Sequence, residues 1–160
     1  MRRISWLPLI LAVTAFSQTP RSLARDMLAA HNAVRAQIGI PPLTWSSVLA
    51  AHAQTWADTL IARHDFSHTP HSPYGQNLYE ITGGTASPND VVSSWADEAR
   101  DYNYETNKCR GMCGHFTQLV WLDTKQVGCA VARSSSRNNV TEIWVCDYDP
   151  PGNWVGKRPW

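Results

Sequence analysis

Six histidines and four cysteines offer the most chemistry in this chain of 160 residues. His115 sits in CGHFTQLVW (Cys113 to Trp121), where a cysteine and a glycine lead into an alternating, strand-like run. His68 and His71 lie close together in FSHTPHSPYG. A neutral imidazole is a good zinc ligand, and it titrates near neutral pH. The signatures that would commit these side chains to catalysis are missing, for there is no H-E-x-x-H and no G-x-S-x-G. Ser67 and Thr69 flank His68, and Thr117 follows His115 by two. Their spacing alone gives none of them the geometry of a nucleophile.

Cys109, Cys113, Cys129 and Cys146 all fall in the C-terminal half. How they are used depends on the redox compartment. The chain opens Met1-Arg2-Arg3, continues through a mostly apolar run from Ile4 to Phe16, and offers a small-x-small site at Ala15-Phe16-Ser17. This is the pattern of a secretory leader over residues 1–17, with a second cleavage position after Ala24. A retained anchor is the competing reading, and the apolar run is short for it. An even cysteine count in an exported chain favours two disulfides, and four cysteines permit three pairings. The preferred one joins Cys109 to Cys113 and Cys129 to Cys146. The second bond would tie neighbouring strands and contribute about 3 kcal/mol in the chain-entropy picture. A zinc site built from Cys109, Cys113, Cys129 and His115 is the alternative use.

Loss of Arg2 and Arg3 with the leader takes the fourteen basic residues to twelve, against thirteen acidic ones, for a net charge near −1. No basic run remains, so the electrostatic footprint of a nucleic-acid binder is absent. No later segment has the length and apolarity of a transmembrane helix. The chain reads as extracellular, with residues 18–160 forming one domain and a monomer.

A scaffold must hold these side chains in place. Leu23, Met27, Ala30, Val34 and Ile38 recur at helical spacing, and Gly39 with Pro41-Pro42 ends that helix. Trp45, Leu49, Ala53, Trp56 and Leu60 form the stripe of a second helix starting at Thr44 or Ser46. Ser87-Pro88 opens a third, running to about Arg100 with Val91, Val92, Trp95 and Ala99 inward. The period then changes. Residues 115–121, 126–133 and 140–146 read as strands, the last two forming a hairpin about the polar run 134–139. Asp149-Pro150-Pro151-Gly152-Asn153 reads as a surface turn. Helices first and strands later imply an α+β domain with helices covering an antiparallel sheet. Trp45, Trp56, Trp95, Trp121 and Trp144 read as core. His31 and His52 read as packed helix residues, and His64 and His71 as exposed loop residues. Asn139-Val140-Thr141 is an N-glycosylation pattern.

Five stretches, in order, resemble the secreted CAP superfamily, which includes plant pathogenesis-related protein 1, venom antigen 5 and cysteine-rich secretory proteins. They are HNAVRAQIG from His31, PYGQNLY from Pro73, WADEARDYNY from Trp95, GHFTQLVW from Gly114, and WVCDYDPPGNWVG from Trp144. The resemblance implies a three-layer α-β-α sandwich with a three- or four-stranded sheet, and it supports the two disulfides preferred above. Plant relatives usually carry a third disulfide. Both of its halves are missing here.

The resemblance also implies a cleft of two histidines and two acids. Carried over by position, these are His68, His115 and Glu98, with Gln76 where many relatives have glutamate; His71 is the alternative to His68. His68, His115 and Glu98 are thereby candidate ligands for zinc or another divalent cation. Glu98 would either bind the ion or orient an imidazole. Gln76 withholds one negative charge, so weak metal binding is expected. The resemblance further implies defence or signalling outside the cell, a sterol or fatty acid as ligand, with the loop from Leu78 to Ser87 as a mobile lip, or a macromolecular partner at the cleft. The alternative is a zinc hydrolase or protease using His68, Glu98 and His115.

Overall fold

The computed structural model describes residues 20–136 and 139–160, and the expected leader at residues 1–17 lies outside them. α1 spans Pro20–Ile38, buries Met27 and Ala30, and stops at Gly39, whose φ of +80° suits a residue without a side chain. α2 spans Ser47–Arg63 and buries Leu49, Ala53, Ala57 and Leu60. Ser46 caps it by accepting from the Leu49 amide. Trp45, expected at the head of this helix, lies outside the cap and forms a short strand instead, β1 (Thr44–Trp45).

β2 spans Gly75–Thr82, so the first half of the expected lip is strand, and residues 83–87 remain as loop. α3 spans Pro88–Ala96 and starts on a capping box between Ser87 and Asp90. Its expected continuation to Arg100 tightens at Asp97 into a 310 turn, Asp97–Asp101. The change of pitch carries Ala99 out to solvent rather than inward. β3 (Tyr102–Asn103) and β4 (Lys108–Cys109) form a small separate ribbon.

The segment expected to be a strand at residues 115–121 is helical, as α4 (Gly114–Leu119). Phe, Thr and Val favour strands, but tertiary contacts at both ends override that preference. At the N-terminus the Glu98 carboxylate accepts the amides of His115 and Phe116. At the other end the buried Arg35 guanidinium donates to the carbonyls of Leu119 and Trp121, each at 2.9 Å. An acid at the positive pole and a cation at the negative pole is the favourable arrangement for so short a helix. Burial lowers the Arg35 pKa to about 10, which leaves it cationic at neutral pH.

β5 (Gln126–Ser136) and β6 (Asn139–Asp149) form the long hairpin, and the sheet order is β1-β5-β6-β2. Both strands run deeper into the polar segment than expected, leaving only residues 137 and 138 between them. β1 pairs parallel to β5, a departure from the all-antiparallel expectation; the other pairs are antiparallel. Alternation along β6 divides the core. Trp144, Cys146 and Tyr148 pack with Met27, Val91, Trp95 and Phe116, whereas Ile143 and Val145 pack with Ala53, Ala57, Leu60 and Leu78. The sheet is therefore a middle layer, with α2 on one face and α1, α3 and α4 on the other. α2 approaches so closely that a Cβ at Gly128 would lie 2.2 Å from the Ala50 nitrogen.

Cys109 pairs with Cys113 and Cys129 with Cys146, and no described cysteine is free. The alternative zinc site loses its thiolates to these bonds. Trp95, Trp121 and Trp144 are buried, and Trp45 and Trp56 half-buried. No described helix is long and apolar enough to cross a membrane.

Candidate functional site

His115 lies in the first turn of α4, half-buried against the face of Trp95, with ring centroids 6.1 Å apart. Its Nδ1 meets Glu98 Oε1 at 2.6 Å, while Glu98 Oε2 accepts the His115 amide at 3.0 Å. An amide can only donate, so the glutamate is held as an acceptor. The neutral imidazole then carries its proton on Nδ1 and leaves the Nε2 lone pair free. Asn77, on β2, fixes the turn further by donating to the His115 carbonyl at 3.0 Å. Because this run is helical, the two-residue alternation of a strand does not apply to His115 and Thr117. Thr117 and Leu119 are buried, and the Thr117 hydroxyl bonds the Cys113 carbonyl and Asn153.

The second histidine is ordered by a different partner. His68 Nδ1 lies 3.2 Å from Gln76 Oε1. That oxygen also accepts the Thr69 amide at 3.0 Å, which fixes the orientation of the Gln76 amide. Its Nε2 then donates to Thr69 Oγ1 at 2.9 Å and to Asp147 Oδ1 at 2.8 Å. Every valence of the amide is used. Because Oε1 can only accept, His68 too carries its proton on Nδ1 and exposes an Nε2 lone pair. His71 is exposed at a positive φ of 54° and lines the same open groove, together with Gln118, Gly152 and Asn153, but does not bond Gln76.

Two residues that sequence reading left out complete this half. Asp147 on β6 is fully buried and stands opposite Gln76 in the strand register. Its other oxygen meets His52 Nδ1 at 2.5 Å. His52, from α2, is about one-third exposed and packs edge-on to Tyr74. Desolvation pushes the Asp147 carboxyl above the usual range, against the opposing effect of its hydrogen bonds to His52 and Gln76. The signal was present in the sequence: Asp147 follows Val145 at the strand period, so it belongs to a core face, and a buried acid requires partners.

Glu98 with His115, and His68 with Gln76, are thus brought together as pairs, and among the described residues no hydrogen bond joins one pair to the other. The pairs are anchored to consecutive residues of β2, Gln76 and Asn77, which point to opposite faces of this edge strand. Among the described residues, the one trio of His, Cys or carboxylate ligand atoms lying mutually within 4.8 Å is His31, Cys129 and Cys146. It does not fit an ion. The two sulfurs are bonded to each other, and His31 spends Nδ1 on the Met27 carbonyl and Nε2 on the Tyr148 hydroxyl. His31 and its packing role match the sequence expectation. His64 and His71 are exposed loop residues, as expected, and His52 is a site residue rather than simple packing.

Comparison with known proteins shows the family of the chain. The family described as the cysteine-rich secretory protein family, CAP, matches residues 28–148. Pathogenesis-related protein 1 of Arabidopsis thaliana is 42% identical over 136 residues, covering 85% of this chain and 81% of that protein. The basic form of pathogenesis-related protein 1 of Nicotiana tabacum is 41% identical over 149 residues, covering 92% and 81%. Among solved structures, venom allergen-like protein 4 of Schistosoma mansoni superposes with a TM-score of 0.66 at 26% identity, covering 86% of this chain and 92% of that one. The chain belongs to the CAP, or cysteine-rich secretory protein, family.

Proposed function

We propose that this protein is an extracellular binding protein of the pathogenesis-related type, and that its polar site holds a divalent cation weakly between the imidazoles of His68 and His115. The observation that carries the reading is the matched hydrogen bonding of the two rings at Nδ1. Each is held at Nδ1 by an acceptor that is itself locked by a backbone amide, and each leaves Nε2 unshared. This is how metal-binding histidines are oriented. Their anchors, Gln76 and Asn77, are consecutive residues of an edge strand. Glu98 is spent on α4 and on His115, which makes it the orienting acid rather than a ligand. Two neutral nitrogens with water completing the shell suit zinc at modest affinity. The ion would supply a positive charge at the cleft; the chain's own residues orient the rings and exclude other partners from Nδ1.

Binding is favoured over hydrolysis by the nearby hydroxyls. Ser67 Oγ donates to Asp65, Thr69 Oγ1 accepts from Gln76, and Thr117 is tied to Cys113 and Asn153. None of the three has a histidine as base. The test is calorimetric titration of zinc into wild type, His68→Ala and His115→Ala. Saturable binding that falls at least about tenfold in each variant is expected for a two-imidazole site. Unchanged affinity in either variant contradicts the reading.

A further inference from the structure

The His68 half of the site lacks an acid at position 76, yet a carboxylate lies one hydrogen bond away. Asp147 stands directly across the strand pair from Gln76, accepts from its amide at 2.8 Å, and is bonded on its other oxygen to His52. We propose that Asp147 is the acid serving the His68 half of the site, delivered by the Gln76 amide, and that His52 shares this carboxylate as a third imidazole of the site.

Several independent features lead there. The orientation of the amide is set by the Thr69 backbone donor, so the Asp147 contact follows from covalent chemistry rather than from an arbitrary flip. Asp147 has no exposure to water, and a buried acid without partners would be a large cost. Its partners are one amide and one imidazole, each a donor. An ionised Asp147 facing Nδ1 makes His52 a third ring with its proton inward, and its Nε2 has no protein partner among the described residues. The charged and titratable groups that act on Asp147 come from α2, as His52, and from the loop before β2, as His68. The site thus keeps its negative charge, relocated from β2 to the facing residue of β6 with Gln76 as a neutral bridge. The Gln76→Glu change, which would tighten a metal if a charge were simply absent, instead sets two carboxylates in contact, one of them fully buried.

The network stands without any ion; only its bearing on zinc rests on the function proposed above. The test is a double-mutant cycle in metal-free protein, using urea unfolding at neutral pH. Like charges in contact oppose ionisation, so Gln76→Glu is expected to raise the unfolding equilibrium constant roughly 100-fold. Asp147→Asn, which weakens the His52 bond, is expected to raise it roughly tenfold. The double variant restores one carboxylate and one amide in swapped order, and returns to within roughly tenfold of wild type, a strongly non-additive outcome. If Gln76→Glu alone does not fold, a folded double variant supports the proposal equally. Effects that simply add, or a double variant worse than either single one, overturn it.

A second readout separates site membership from packing. Long-range 1H–15N spectra should show His52 protonated on Nδ1 in wild type and on Nε2 in Asp147→Asn, where the new amide nitrogen becomes the donor. A His52 ring that keeps the same tautomer in both overturns the proposal. Zinc titration of the same proteins keeps the two ideas apart. Absence of zinc binding in wild type removes the cation reading and leaves the cycle and the tautomer switch to decide this one.

Discussion

Two polar networks cross the same pair of strands, one on each face of the sheet. On the α1 side, His31 bonds Tyr148, Tyr148 bonds Asn77, and Asn77 reaches the His115 carbonyl. On the α2 side, His52 bonds Asp147, Asp147 bonds Gln76, and Gln76 reaches His68. Residues 147 and 148 are neighbours on β6, and 76 and 77 are neighbours on β2, so a two-residue period separates the networks completely. They differ in burial and charge. His31, Tyr148 and Asn77 are all buried, and the ring nitrogens of His31 are both spent. The α2 network contains a carboxylate and ends in two rings that reach solvent. Closed neutral chains lend rigidity; open chains with unspent lone pairs are where ligands bind.

Acid should separate the two networks most severely. Burial lowers the His31 pKa from 6.5 to about 4, with the Arg35 charge adding to the effect. Between those values the unfolded chain takes up a proton that the native state refuses. The contribution is therefore full above the unfolded pKa and lost as pH falls toward the folded one, on the order of 3 kcal/mol in all. Asp147 acts in the opposite sense. Its carboxyl is raised by burial, so its contribution is full below the ordinary carboxylate range and declines as pH rises. Urea unfolding of wild type and His31→Gln between pH 7 and pH 4 checks this. The loss on acidification should shrink by about that amount in the variant. An equal loss in both proteins would place the acid sensitivity elsewhere.

A smaller effect sharpens the contrast at neutral pH. Tyr148→Phe removes the hydroxyl between His31 and Asn77 and leaves two buried polar groups short of a partner. Stability should fall by about 2 kcal/mol, read from the shift in urea midpoint at constant slope. Zinc binding should remain, because the phenol bonds His31 and Asn77 and neither His68 nor His115.

How far the sequence could reveal this follows the same division. The three long helices and the β5–β6 hairpin were readable, because apolar spacing and caps are local signals. α4 was not, since Phe116, Thr117 and Val120 argue for a strand and the groups that make it helical, Glu98 and Arg35, lie far away in the chain. The His115–Glu98 pair could still be named from family position without knowledge of the helix. His52 and Asp147 escaped because the strand period marks residue 147 as core-facing but does not name its partners. Only strand register brings residue 147 opposite residue 76, and only the close seat of α2 at Gly128 lets His52 reach it.

The most direct test of the site is the protonation pattern of its two principal rings. Long-range 1H–15N spectra of metal-free protein near neutral pH should show both His68 and His115 protonated on Nδ1, and added zinc should shift the Nε2 resonance of each. Protonation on Nε2 in either ring, or zinc that moves neither resonance, would contradict a site built from their paired lone pairs.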